Sequence, residues 1–181
     1  ELVKIGKIRN VGLSNETPWG TMEFLRLSKD KHLPRVQSIQ NAYNLLNRIF
    51  EFGGSEIAFR ENVGLLAYSP LAQGYLTGKY QNGNLPEGSR KALFDRLQRY
   101  EGVGSEEAIA SYLNIAKKYN IDPSQLANQF VTTRSFVTSN IIGATSMEQL
   151  KLAITSIEIE MHEELENDIE DAFKLHGNLA S

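Results

Sequence analysis

Four short apolar runs punctuate the chain, and each is followed by residues of helical period. They are Ile8 to Leu13, Val36 to Gln40, Leu65 to Tyr68 and Val137 to Gly143. Each is bounded by turn formers or polar residues and is short enough to be a buried strand. Between them lie helix starts. Thr17 caps a helix that opens on Pro18 and carries Trp19, Met22, Phe24 and Leu25. Asp122 and Pro123 repeat the device, with Gln125 placed to complete a capping box. Ala108, Tyr112, Ile115 and Tyr119 share one helical face, and Leu165, Ile169, Ala172 and Phe173 share another near the end. Strands alternating with helices predict an α/β fold with a parallel sheet covered on both faces. Tyr80 to Arg90, with Gly83, Pro86 and Gly88, reads as a long loop or lid rather than a domain linker.

Composition narrows the function classes. The 181 residues suit one domain with a sizeable core. Nineteen Lys and Arg against 22 Asp and Glu leave a net charge of −3, which argues against a coat for nucleic acid or an anionic membrane. No apolar run approaches the roughly 20 residues of a membrane span, and the start does not resemble a leader peptide. With no Cys there is no disulfide framework or thiolate metal site, so a cytoplasmic setting is the default expectation. The first residue is Glu1 rather than Met, which favours an incomplete sequence over a small protein complete in itself.

Candidate chemistry gathers where the runs end. The fourth run leads into Gly143-Ala144-Thr145-Ser146 and then a helical pattern. That arrangement offers backbone N–H groups and a positive helix end to an anion, or simply a capping box made by Thr145 with Glu148 or Ser146 with Gln149. Tyr68 ends the third run at the edge where α/β folds bind ligands; its ring either stacks on a flat heterocycle or packs beneath a helix. Ser69 to Gly74 follow, and Lys79 and Arg90 supply cations close in sequence, as a phosphate requires. Ser14 and Asn15 after the first run either form a turn or hydrogen-bond a carboxamide. Gln40 is no turn former and is costly at the end of a buried strand without a partner. Tyr75 and Lys79 spell the Y-x-x-x-K of short-chain dehydrogenases, but the Gly-rich loop that family requires is absent. The three His lack metal-ligand spacing, and no metal site is expected.

In order, GKIRNVGLSN, SIQNAYNLLNR, LLAYSPLAQGYLTGKY and TSNIIGATSMEQL resemble the second half of an aldo-keto reductase, in the branch related to potassium-channel β-subunits. The resemblance runs from about residue 1 to 175. It implies that residues 1–181 form a single partial domain, the C-terminal half of a (β/α)8 barrel with about four parallel strands and covering helices. It implies NADPH or NADP+ as cofactor and a small aldehyde or ketone as substrate. Ser14, Asn15 and Gln40 would hold the nicotinamide carboxamide, and Tyr68 would stack on its ring. Ser69, Pro70, Leu71, Ala72 and Gly74 would wrap the pyrophosphate with Lys79, and Arg90 would sit in a belt over it. Gly143, Thr145 and Gln149 would take the adenosine 2′-phosphate. Leu152 and Ala153 stand where the family usually carries polar residues against adenine, which removes one or two hydrogen bonds.

The family's Asp, Tyr, Lys and His tetrad comes from the first four βα units, so no catalytic residue is assigned within this chain. A half-barrel leaves two strand edges and apolar faces open. It is therefore expected to be marginal alone, pairing with the missing N-terminal half or with a second copy. A non-catalytic nucleotide-binding or regulatory subunit, or a truncated inactive fragment, is the alternative reading.

Overall fold

In a computed structural model that describes residues 1–94 and 98–180, four strands form one parallel sheet in chain order: β1 (Val11–Ser14), β2 (Val36–Ala42), β3 (Gly64–Tyr68) and β4 (Val137–Ile141). The first crossover is α1 (Pro18–Asp30) and the second α2 (Gly54–Glu61). Between β3 and β4 come α3 (Arg90–Leu93), α4 (Ser105–Lys118) and α5 (Pro123–Thr132); α6 (Met147–Thr155) and α7 (Glu163–His176) close the chain.

Alternation along the strands gives the sheet two unlike faces. Val36, Ile39, Leu65 and Ala67 point into the helix layer and are buried. They join Leu126, Phe130, Ile109, Tyr112, Leu165 and Ile169 in one core. The opposite face carries small and polar residues in register. One row is Gly12, Ser38 and Gly64, and the next is Ser14, Gln40, Leu66 and Ser139. A Cβ on Gly64 would lie 1.7 Å from Thr138 Oγ1, so glycine is required at that position.

Several sequence expectations need correction. β1 starts at Val11, and Ile8 lies outside it, 39% exposed. β4 stops at Ile141 rather than Gly143. α1 buries Thr21, Leu25 and Ser28, while Trp19, Met22 and Phe24 are exposed, so its buried stripe is narrower and more polar than its apolar content suggests. Asp122 caps α5 through Ser124 N and Gln125 N. The Gln125 side chain turns away to Thr155 Oγ1 at 2.8 Å, so no capping box closes there. The stretch from Tyr80 to Arg90 is a loop with one 3₁₀ turn at Gln81–Gly83, and Arg90 begins α3.

The chain's end is fastened by charge. Arg48, 5% exposed, pairs with Glu51 at 2.8 Å and approaches Glu170 on α7 at 2.7 Å. Its guanidinium stacks 4.1 Å from the Phe173 ring centre, and the Arg48 backbone N–H donates to Asn178 Oδ1. Burial opposes the charge on Arg48, but the two carboxylates outweigh it and raise the pKa.

Candidate functional site

In a parallel sheet all strands end at the same edge, and here register sets the candidates side by side. Ser14 pairs with Gln40, and Ala42 with Tyr68, which in turn pairs with Ile141. The turns after β3 and β4 therefore leave from neighbouring positions. Asn15 adopts φ 54, a left-handed conformation that Asn tolerates, and its N–H extends the ladder to Gln40 O at 2.9 Å. This aims the Asn15 side chain across the edge. Tyr68 Oη donates to Asn15 Oδ1 at 2.7 Å, and Asn15 Nδ2 donates to Ser14 Oγ at 3.3 Å. The Gln40 side chain is half-buried beside them and makes no hydrogen bond to the described residues.

The turn after Tyr68 is shaped by backbone. Ser69, Ala72, Gln73 and Gly74 have φ of 58, 47, 59 and 102, three of them without the freedom of glycine. Such residues are rare in this region, and runs of them build concave nests of N–H groups that suit anions. Pro70, Ala72 and Gly74 are buried, so the turn presents backbone more than side chain. Lys79 folds back over it: a Cβ on Gly74 would lie 2.8 Å from Lys79 Cε and 3.0 Å from Nζ.

The turn after β4 resolves one of the open choices. Ser146 Oγ caps α6 by accepting from Gln149 N, and Gln149 Oε1 reaches back to accept from Thr145 N at 2.9 Å. Ser146 is thus the cap, but Gln149 reaches back to Thr145 rather than to Ser146 N, so only half of the box forms; Gln149 is left exposed with its Oε1 on Thr145. Gly143 is open, with nothing within 4 Å of where a Cβ would stand. Leu152 and Ala153 are half-buried on α6.

Arg90 is exposed, and its side chain makes no hydrogen bond or ion pair among the described residues. Its neighbour Lys91 makes the contacts instead. Lys91 pairs with Glu101 at 2.6 Å, Tyr75 Oη donates to the same carboxylate, and Lys91 N donates to Tyr80 Oη at 3.2 Å. The Tyr75 hydroxyl is committed to Glu101 rather than to Lys79, and burial, then Glu101, pushes its pKa up to about 12. Lys91, then Tyr75, holds Glu101 below the ordinary carboxylate range. A lowered folded pKa adds stability above the unfolded value near 4.5 and loses it as pH falls through the folded value. Proteolysis across residues 81–94 is accordingly expected to accelerate at acid pH before global unfolding, whereas Glu101→Gln accelerates it already at neutral pH and flattens the pH dependence.

Two residues that the motifs do not mark complete the site. Asn44 is fully buried; its Nδ2 donates to Ser69 O and to Tyr100 Oη, both at 2.9 Å, and its Oδ1 accepts from Leu46 N. It pins the first residue of the strained turn. Asn44→Ala removes three hydrogen bonds, leaving the buried Leu46 N and Tyr100 Oη without that partner, and is expected to cost about 2 kcal/mol or more, read as a fall in melting temperature of roughly 5 °C. Arg99 is the second, with Nη1 3.4 Å from Tyr68 Oη. A buried polar residue within NAYNLLNR is the only sequence signal for Asn44.

A Tyr–Lys–Asp–His group lies elsewhere, on the outer helices. Tyr119 and Lys118 both bond Asp168, at 2.9 and 2.6 Å, beside His162. Desolvation and Asp168 raise the Tyr119 pKa, the wrong direction for a proton donor, and this cluster is an interhelix tie. Among the described residues no group of three His, Cys, Asp or Glu could hold a metal ion, and no helix is long and apolar enough to cross a membrane.

Residues 1–173 match the Aldo/keto reductase family, and the chain belongs to it. It is 46% identical over 176 residues to the protein named tas of Escherichia coli K12, covering 97% of this chain and 51% of that protein. It is 33% identical over 157 residues to an L-glyceraldehyde 3-phosphate reductase of the same organism, covering 82% of this chain and 44% of that protein. A putative voltage-gated potassium channel subunit beta of Schizosaccharomyces pombe is 30% identical over 154 residues, covering 77% and 44%. The chain spans about half the length of the curated relatives it matches. The family fold is a (β/α)8 barrel, and the four parallel strands with their helices make half of one.

Proposed function

We propose that this chain is the cofactor-binding part of an NADPH-dependent aldo-keto reductase that reduces an aldehyde or ketone. The observation that carries the reading is the run of left-handed residues at Ser69 and Ala72 to Gly74 under Lys79, beside an edge lined by Asn15, Gln40 and Tyr68. These residues fit the group. The turn offers backbone N–H groups and a cation to a pyrophosphate, Gln40 has an uncommitted amide, and the exposed amide of Gln149 with Thr145 suits a further phosphate. NADPH, when bound, supplies the hydride.

Each residue of the chain then has a task in holding and orienting. Asn15 and Gln40 receive a carboxamide once Tyr68 Oη releases Asn15 Oδ1, which frees the Tyr68 ring to stack. Lys79 neutralises charge at the turn, and Asn44 keeps Ser69 in place. Fixing a nicotinamide this way shortens the search for a reactive geometry. The proton donor belongs to the tetrad of the family's first four βα units, so this chain on its own is proposed to turn over no substrate.

A fluorescence titration of NADPH tests the reading. Saturable binding in the micromolar range is expected. Tyr68→Ala and Gln149→Ala should each weaken it about tenfold, the effect of losing roughly 1.4 kcal/mol. A folded protein without saturable binding overturns the proposal.

A further inference from the structure

A cavity of about 400 Å³ lies between β2 and the helices α1 and α2, on the helix side of the sheet and so apart from the turns described above. Its size is at the lower end of the ~300–1,000 Å³ range of small-molecule pockets. The depth is apolar: Ile39 from β2, Phe50, Ile57 from α2 and Val63. Ile39, Phe50 and Val63 belong to the buried core. Native interiors keep few voids larger than a water molecule. Thr21, Asn41 and Asn47 add polar groups to a wall that is otherwise mostly apolar, and Asn41 Oδ1 is buried with no hydrogen-bond partner among the described residues.

The mouth opens at the strand edge and is of another character. Asn15, Tyr68 and Arg99 stand there together, with the guanidinium on the Tyr68 hydroxyl. Glu16 also lines it, but its carboxylate is folded onto the start of α1, accepting from Thr17 N at 2.7 Å and from Thr17 Oγ1. The negative charge thus serves the helix N-terminus, and among the described residues the Arg99 guanidinium is the cation at the opening.

We infer that this cavity binds a small organic carboxylate with an apolar, ring-sized body. The body fills the space against Ile57 and Val63, and the carboxylate takes the planar fork of Arg99. Binding draws Arg99 away from Tyr68, which joins this site to the edge without making it part of the cofactor cradle. Asn15 and Tyr68 at the mouth are shared with the cofactor edge, but Ile39, Phe50, Ile57, Val63 and Arg99 are not, so the inference stands without the NADPH reading.

Ligand-observed NMR on the purified protein without nucleotide, using benzoate, benzyl alcohol and acetate as probes, tests it. Benzoate is expected to bind saturably with a Kd of about 1 mM or tighter. Benzyl alcohol, without the charge, and acetate, without the body, should each bind about tenfold more weakly or not at all. Arg99→Gln, at an exposed position, should weaken benzoate about tenfold, with Arg99→Lys intermediate. Ile57→Trp, which fills the cavity, should abolish binding; Arg99→Gln decides the matter if that variant melts early. A cooperatively melting wild type that ignores benzoate, or benzoate binding indifferent to Arg99→Gln, overturns the inference.

Discussion

Arg48→Ala is expected to lower the melting temperature by about 10 °C. Removing one partner from a buried ion pair typically costs about 3–5 kcal/mol, and each kcal/mol shifts a domain of this size by roughly 2–4 °C. Arg48 is 5% exposed, and its loss leaves Glu51 and Glu170 facing each other without a cation. The Phe130 and Phe173 rings lose the guanidinium at 5.4 and 4.1 Å. Because Arg48 ties the segment after β2 to α7, the last helix should detach first, seen as early hydrogen exchange in Glu163–His176. Arg48→Lys keeps the charge but lacks the fork, and should recover less than half of the loss. A fall of under about 3 °C for Arg48→Ala would show that the cluster adds little.

Gly74→Ala is expected to weaken NADPH binding by tenfold or more while the fold survives. At φ +102 an L-residue is strained, and the new Cβ would stand 2.8 Å from Lys79 Cε. Lys79 has to move, and the N–H groups of the turn move with Gly74. Gly78→Ala is the matched control. It sits at φ +79 with its Cβ 3.2 Å from Leu113, so it carries similar strain away from the turn and should lower stability without an equal loss of affinity. Equal affinity losses in both variants would mean that general strain, and not the shape of the turn, is being measured.

The parts of this architecture that sequence reveals are those with a short period. Leu65 and Ala67 alternate with partly exposed neighbours, and β3 is plain from them. A helix after β2 is expected from the alternation, but its bounds are not legible, because α2 opens on Gly53 and Gly54 and lasts only eight residues. The exposed side chains of α1 show the limit from the other side: Trp19 is 77% exposed although it sits in an apolar pattern. At the site, Asn15 and Tyr68 stand out as an amide and an aromatic at strand ends; Gln40 stands out for the same reason, although β2 runs on to Ala42 and places it two residues inside the strand. Asn44 and Arg99 do not, since their partners lie far along the chain: Tyr100 is 56 residues from Asn44 and Tyr68 is 31 from Arg99. No local pattern encodes such pairs. Likewise Arg90 is the cation of the loop by composition, yet Lys91 makes its contacts.

The central claim is that the common strand edge, with the turns after β3 and β4, cradles the dinucleotide. Hydrogen exchange measured with and without NADP+ tests it residue by residue. Slowed exchange is expected in two segments, 68–79 and 143–149, with Glu163–His176 unchanged. Protection absent from both turns at a saturating nucleotide concentration, or confined to the outer helices, would contradict the account.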